Sequence, residues 1–201
     1  MLILRSLKKV FTLIIDRSGS MSGNKMIQAK DAAKFIVNNL NEGDKFNIVD
    51  FMDYAYAFRP YHVNYYLNSK DSAISYINAL QANGLTNISG AFSLAVPQFS
   101  SANDSTANII IFFTDGQPTA GITNTTQLLL HIRNLIISTE TNIFLYCFGI
   151  GSDVNVQLLT LMGAQNNGLT EFLGNDELYS RITDFLSPDQ EPCFTHTNYY
   201  I

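Results

Sequence analysis

Charge is scarce in this chain: only 14% of its 201 residues are Asp, Glu, Lys or Arg. The 12 Lys and Arg are outnumbered by 17 Asp and Glu, and the one basic run is the pair Lys8 and Lys9. Phosphate contacts need clustered cations, so the sequence argues against a nucleic-acid partner or an anionic membrane surface. Cysteine is nearly absent. Cys147 and Cys193 are too few for a disulfide scaffold and lack the paired spacing of a zinc site, which leaves the redox compartment open. The histidines at 62, 131 and 196 are too scattered to indicate a metal cluster. No apolar stretch reaches the roughly 18 residues of a membrane span, so no membrane insertion is expected. Residues 10–15 are apolar and follow two lysines, but they run into Asp16-Arg17-Ser18-Gly19-Ser20 without a small-residue cleavage pattern and are read as a strand. A secreted product would carry its signal upstream of this chain.

What is present is apolar. At 46% hydrophobic residues the chain can bury a sizeable core, and its length suits one domain on an allowance of about 100 to 200 residues each. The expected domain is residues 1–187, with a polar tail or linker over 188–201. Four near-continuous apolar runs, at 10–15, 46–51, 108–113 and 142–148, have the character of parallel strands covered on both faces. Helical spacing fills the gaps at 25–40, 71–80, 88–96, 126–137, 154–162 and 177–186. Residues 54–58 follow the second run too closely to return parallel, and 169–173 supply a weaker sixth strand. The expectation is an α/β fold: a doubly wound, mostly parallel six-stranded sheet with one antiparallel edge strand and helices on both faces. Such sheets bind ligands beyond the carboxyl ends of their strands, where the strand order reverses.

Chemistry gathers at three loops. The first reads Asp16-Arg17-Ser18-Gly19-Ser20-Met21 after a strand, and another reads Thr114-Asp115-Gly116-Gln117-Pro118-Thr119 after a strand. Between them, Gly84-Leu85-Thr86-Asn87-Ile88 offers a hydroxyl just before a helix. Two carboxylates at a partly buried junction repel and lose hydration, at a cost of several kcal/mol unless a cation compensates. An all-oxygen donor set with few protein charges suits Mg²⁺, with Mn²⁺ and Ca²⁺ as alternatives. Each piece alone has a plainer account: the Asp-x-Ser-x-Ser segment as a cap with Ser22 or Asn24 opening the helix, Thr86 as a cap or turn residue, and Asp115-Gly116 as a turn. Three oxygen-bearing loops at neighbouring sheet ends make coincidence a poor explanation.

Taken together, residues 10–186 resemble a von Willebrand factor type A domain with a metal-ion-dependent adhesion site. Asp16, Ser18 and Ser20 match that family's Asp-x-Ser-x-Ser, Thr86 its lone threonine, and Asp115 its Thr-Asp-Gly aspartate. The surrounding text is most similar to the inter-alpha-trypsin inhibitor heavy-chain group: Ile15-Asp16 through Met21-Ser22-Gly23, Gly43-Asp44-Lys45-Phe46-Asn47, Leu85-Thr86-Asn87-Ile88, Thr114-Asp115-Gly116 with Pro118-Thr119, and Phe148-Gly149-Ile150-Gly151. The resemblance implies a metal contacted directly by Ser18 and Ser20, and directly or through water by Thr86, Asp16 and Asp115. It implies a partner protein whose Glu or Asp completes the metal shell, recognition without turnover, and membership of a larger multidomain chain. The compartment stays open, with a lean to extracellular or cell surface.

Two other functions compete. A Mg²⁺-dependent phosphatase-like hydrolase would use Asp16 as nucleophile, yet it needs an acid two residues later, where Ser18 stands. A metal-stabilised scaffold would need no ligand at all. Gly149-Ile150-Gly151 lacks the third glycine of a dinucleotide fingerprint. The sequons at Asn87, Asn103 and Asn124 are no more than chance supplies among 20 Asn and 31 Ser plus Thr. Asp50, inside an apolar run, is expected to turn inward and be satisfied by backbone donors. Arg17 is expected to face solvent, or else an acidic partner. Tyr54, Tyr56, Tyr61, Tyr65 and Tyr66 are expected to pack over the edge strand, a binding surface being the alternative.

Overall fold

The first apolar run becomes β1, Lys8–Asp16, and from Phe11 onward every residue of it is buried, because helices cover both sides. The computed structural model describes residues 8–99 and 106–173. In chain order β1 is followed by α1 (Asn24–Asn38), β2 (Lys45–Phe51), β3 (Ala55–Ala57), β4 (Val63–Asn64), α2 (Leu67–Ala79), α3 (Ile88–Ala95), β5 (Thr106–Thr114), α4 (Thr125–Ser138), β6 (Ile143–Ile150), α5 (Val156–Gln165) and β7 (Thr170–Leu173). The sheet order is β3-β2-β1-β5-β6-β7. Its central strands run parallel, and the expected α/β architecture is present.

The edge differs in detail from the expectation. Besides β3, the two-residue β4 also pairs antiparallel with β2, so the edge consists of two short segments and the sheet has seven strands. Val63–Asn64 is too short to leave a periodicity in the sequence. The helix expected at 177–186 lies outside the described residues.

Alternation along each strand divides the core. Ile15, Ile48 and Phe113 face α1 and α2 with Ala33, Ile36 and Ile77, whereas Ile14, Val49 and Phe112 face α3, α4 and α5 with Phe92, Ile132 and Leu158. Each fully buried Phe or Ile contributes about 1.5–3 kcal/mol, so the two apolar layers hold the strand ends rigidly without help from the loops. After β1 the chain moves outward to β2 and β3, then crosses back to β5 on the other side of β1. The order therefore reverses between β1 and β5, the place at which sheets of this kind bind ligands beyond the carboxyl ends of their strands.

Candidate functional site

Both carboxylates sit at that reversal. Ile15 pairs with Phe113 in the β1–β5 register, so Asp16, the last residue of β1, and Thr114, the last of β5, emerge side by side with Asp115 next in line. The Thr114 hydroxyl donates to Asp16 Oδ2 at 2.5 Å. Asp16 Oδ1 accepts the Ser18 amide at 2.8 Å, which turns the chain so that Ser18 Oγ and Ser20 Oγ stand 3.1 Å apart. The 84–86 loop is tied to this one by Gly19 N donating to Gly84 O at 3.0 Å and Asn83 N donating to Arg17 O at 2.8 Å. Thr119 and Ala120 both donate to Thr86 O, while Thr86 N donates to Thr119 Oγ1 at 2.9 Å. The loops bearing Asp16, Ser18 and Ser20, Thr86, and Asp115 are therefore knitted into one end of the sheet.

Gly84 is needed for that junction. Its φ is +77°, and a Cβ there would stand 2.2 Å from Asp53 Oδ2. The capping alternatives fall elsewhere: α1 starts after Gly23 without a side-chain cap, and Asn87, not Thr86, caps α3 by accepting the Gly90 amide. Thr86 is left buried without a capping task.

Asp16, Ser18, Thr86 and Asp115 are all buried, and Ser20 is exposed at the rim. Burial pushes the Asp16 carboxyl up to about 6; hydrogen bonds from Thr114 and Ser18 oppose this and the Asp115 charge adds to it. Asp115 meets a cation instead: Lys25 Nζ lies 3.2 Å from Asp115 Oδ2 and 2.6 Å from Asp153 Oδ1. Burial alone would lower the Lys25 ammonium, but the two carboxylates outweigh it and raise its pKa. Lys25 escaped the sequence reading, although a signal existed. It stands in the first turn of α1, where the helix dipole disfavours a cation unless anions are near.

The environment of Asp50 and Arg17 corrects two expectations. Asp50 is satisfied by side chains, accepting from Arg17 Nε and from the Tyr76 hydroxyl, and not by backbone donors. Arg17 does not face solvent: its side chain is largely buried, its guanidinium carbon lies 5.4 Å from the Tyr56 ring centroid, and Nη1 reaches Met52 Sδ at 3.2 Å. The backbone of Arg17, donating to Phe51 O, aims the side chain toward the end of β2. The tyrosines also depart from the packing expectation. Tyr65 packs against the core, but Tyr54, Tyr56, Tyr61 and Tyr66 are exposed.

Comparison with known proteins agrees with this geometry. A family model described as von Willebrand factor type A domain matches residues 11–187. The chain is 31% identical over 199 residues to inter-alpha-trypsin inhibitor heavy chain H4 of Bos taurus, covering 96% of this chain and 21% of that protein. It is 33% identical over 179 residues to inter alpha-trypsin inhibitor heavy chain 4 of Mus musculus, covering 86% and 19%. The chain thus spans about a fifth of the length of these curated relatives. Among solved structures, a von Willebrand factor type A protein from Catenulispora acidiphila superposes with a TM-score of 0.76 at 23% identity, over 89% of this chain and 42% of that one. Proximal thread matrix protein 1 from the mussel byssus, with a zinc-occupied MIDAS motif, superposes with a TM-score of 0.66 at 18% identity, over 90% and 45%. The sheet order, the loops gathered at its reversal point and these matches agree: the chain belongs to the von Willebrand factor type A domain family, close to the inter-alpha-trypsin inhibitor heavy chains.

Proposed function

We propose that this domain is a divalent-metal-dependent protein-binding module, its Mg²⁺ site formed by Asp16, Ser18, Ser20, Thr86 and Asp115. The observation that carries this reading is the placement of two fully buried carboxylates at the strand-order reversal, with hydroxyls of Ser18, Ser20 and Thr86 on the loops hydrogen-bonded around them. Burying Asp16 raises its carboxyl to about 6, a strain that a divalent cation would relieve. The donors are all hard oxygens, matching Mg²⁺ first and Mn²⁺ or Ca²⁺ next. The zinc in the mussel protein's motif supports divalent-metal binding at the equivalent place.

A metal bound here would offer an open position to a Glu or Asp carboxylate of a partner protein. The chain's own residues supply the rest: Thr114 and the Ser18 amide orient Asp16, and Thr119 holds the Thr86 loop. The exposed Tyr54 and Leu85 border these loops and give a partner apolar contact area. Turnover is not part of this reading, since Ser18 occupies the position where a phosphatase would keep its general acid. The domain, 1–187, would serve as one part of a longer extracellular or cell-surface protein.

The test is calorimetry with Mg²⁺, followed by selection of displayed peptides on the metal-loaded domain. Retained peptides should carry Glu or Asp, release with chelator, and fail when that residue becomes Gln or Asn. Metal binding with peptides indifferent to chelator would leave a scaffold role. Phosphate-ester hydrolysis dependent on Asp16 would replace the reading with the hydrolase.

A further inference from the structure

Lys25 is the one cation hydrogen-bonded to a carboxylate of the site among the described residues, and the surrounding chain is shaped to admit it. Its Nζ bridges Asp115 Oδ2 at 3.2 Å and Asp153 Oδ1 at 2.6 Å. Asp115 is fully buried, whereas the Asp153 side chain is 63% exposed, so the ammonium spans from the inside of the site to its rim. The loop after β6 passes over the lysine stem at Gly151, whose φ is +104° and where a Cβ would stand 2.4 Å from Lys25 Cε. That loop is anchored by Asn155 N donating to Asp115 O at 2.9 Å and Gln117 Nε2 donating to Asp153 O at 3.4 Å.

We infer that Lys25 is the built-in counter-cation of this site, competing with the divalent ion for Asp115 and setting metal affinity, with Asp153 as the rim anion onto which its ammonium withdraws. The inference rests on the metal-site reading above. Two buried carboxylates without a cation would repel; an ammonium hydrogen-bonded to Asp115 offsets part of that repulsion. The same ammonium opposes a second, doubly charged cation, so it lowers affinity while stabilising the metal-free domain. Asp153 moderates the cost by giving the displaced ammonium a partner in solvent.

Mg²⁺ titration calorimetry and metal-free thermal unfolding on Lys25→Met, Lys25→Gln, Lys25→Arg and Asp153→Asn test this, with Asp115→Ala as control. Loss of charge in Lys25→Met or Lys25→Gln should tighten Mg²⁺ binding by about tenfold and lower the metal-free melting temperature. Lys25→Arg should retain wild-type affinity, and Asp153→Asn should weaken it severalfold. If the uncharged variants bind Mg²⁺ equally or more weakly while Asp115→Ala abolishes binding, Lys25 is a loop tether only and the inference is overturned, with the site reading intact. If wild-type protein and the uncharged variants alike fail to bind Mg²⁺ or Mn²⁺, the site reading itself falls and takes this inference with it.

Discussion

Thr114 gives its hydroxyl proton to Asp16 Oδ2 at 2.5 Å, and the same hydroxyl oxygen accepts the Gly116 amide at 2.8 Å. One side chain thus joins the carboxylate of the first loop to the backbone of the third, at a position with no solvent access. Thr114→Val removes both bonds and leaves a buried amide and a buried carboxylate oxygen without these partners. The expected cost is about 2–4 kcal/mol in urea unfolding, with Thr114→Ser restoring most of it. A loss below 0.5 kcal/mol, on the order of a surface change, would contradict this role.

Asp16→Asn and Asp115→Ala should abolish measurable Mg²⁺ binding while leaving the fold, since the two apolar layers do not depend on these loops. In the metal-free protein Asp16→Asn should also raise stability by about 1–3 kcal/mol above pH 7, because it replaces a charge that burial disfavours. Calorimetry showing undiminished affinity in both variants would refute the site assignment.

The pair Arg17–Asp50 is a mostly buried ion pair tied to Tyr76, and breaking it on one side leaves the other charge behind. Asp50→Ala should cost about 2–4 kcal/mol, since the orphaned guanidinium keeps only the Tyr56 ring and the Met52 sulfur. Tyr76→Phe, which removes one donor to Asp50, should cost about 1 kcal/mol. Denaturant midpoints of the two variants, compared at equal m-value, provide the check.

Acid stability should carry two contributions of opposite sign. Burial lowers the His62 imidazole from 6.5 to about 4; a backbone hydrogen bond to Gln98 O opposes this and Lys45 adds to it. A depressed folded-state pKa means the unfolded chain binds more protons between pH 4 and 6.5, so this contribution is full above that window and lost as pH falls through it. At about 1.4 kcal/mol per unit it amounts to roughly 3 kcal/mol. Asp16, raised from 3.8 to about 6, works the other way: its contribution is full below pH 3.8 and lost as pH rises through 6. The two act in opposite directions between pH 4 and 6, so metal-free wild-type stability should climb less with pH than it would from His62 alone. Asp16→Asn removes one of them and should expose a stability that climbs with pH. A flat profile in that variant would exclude the His62 contribution.

The parallel sheet, the helices between its strands and the position of the oxygen-bearing loops at one sheet end were legible from the amino-acid order, because each rests on a local signal. Near-continuous apolar runs mark strands covered on both faces, and each motif loop directly follows a strand or leads into a helix. Side-chain partnerships were not legible. Arg17 lies between two motif residues, and its destination was decided by β2 emerging beside β1, 33 positions along the chain from Arg17 to Asp50. Lys25 meets Asp115 across 90 positions, and Asp153 joins them only because the β6 loop closes over the lysine stem. The exposed tyrosines depended on how β3 and β4 share one edge of β2, which no periodicity of two or three residues encodes. The sequence by itself determined the long strands and which oxygen donors sit near their ends, since both follow from neighbours in the chain. Only the tertiary structure decided which charges meet, because long polar side chains find partners by spatial adjacency of loops that are distant in sequence.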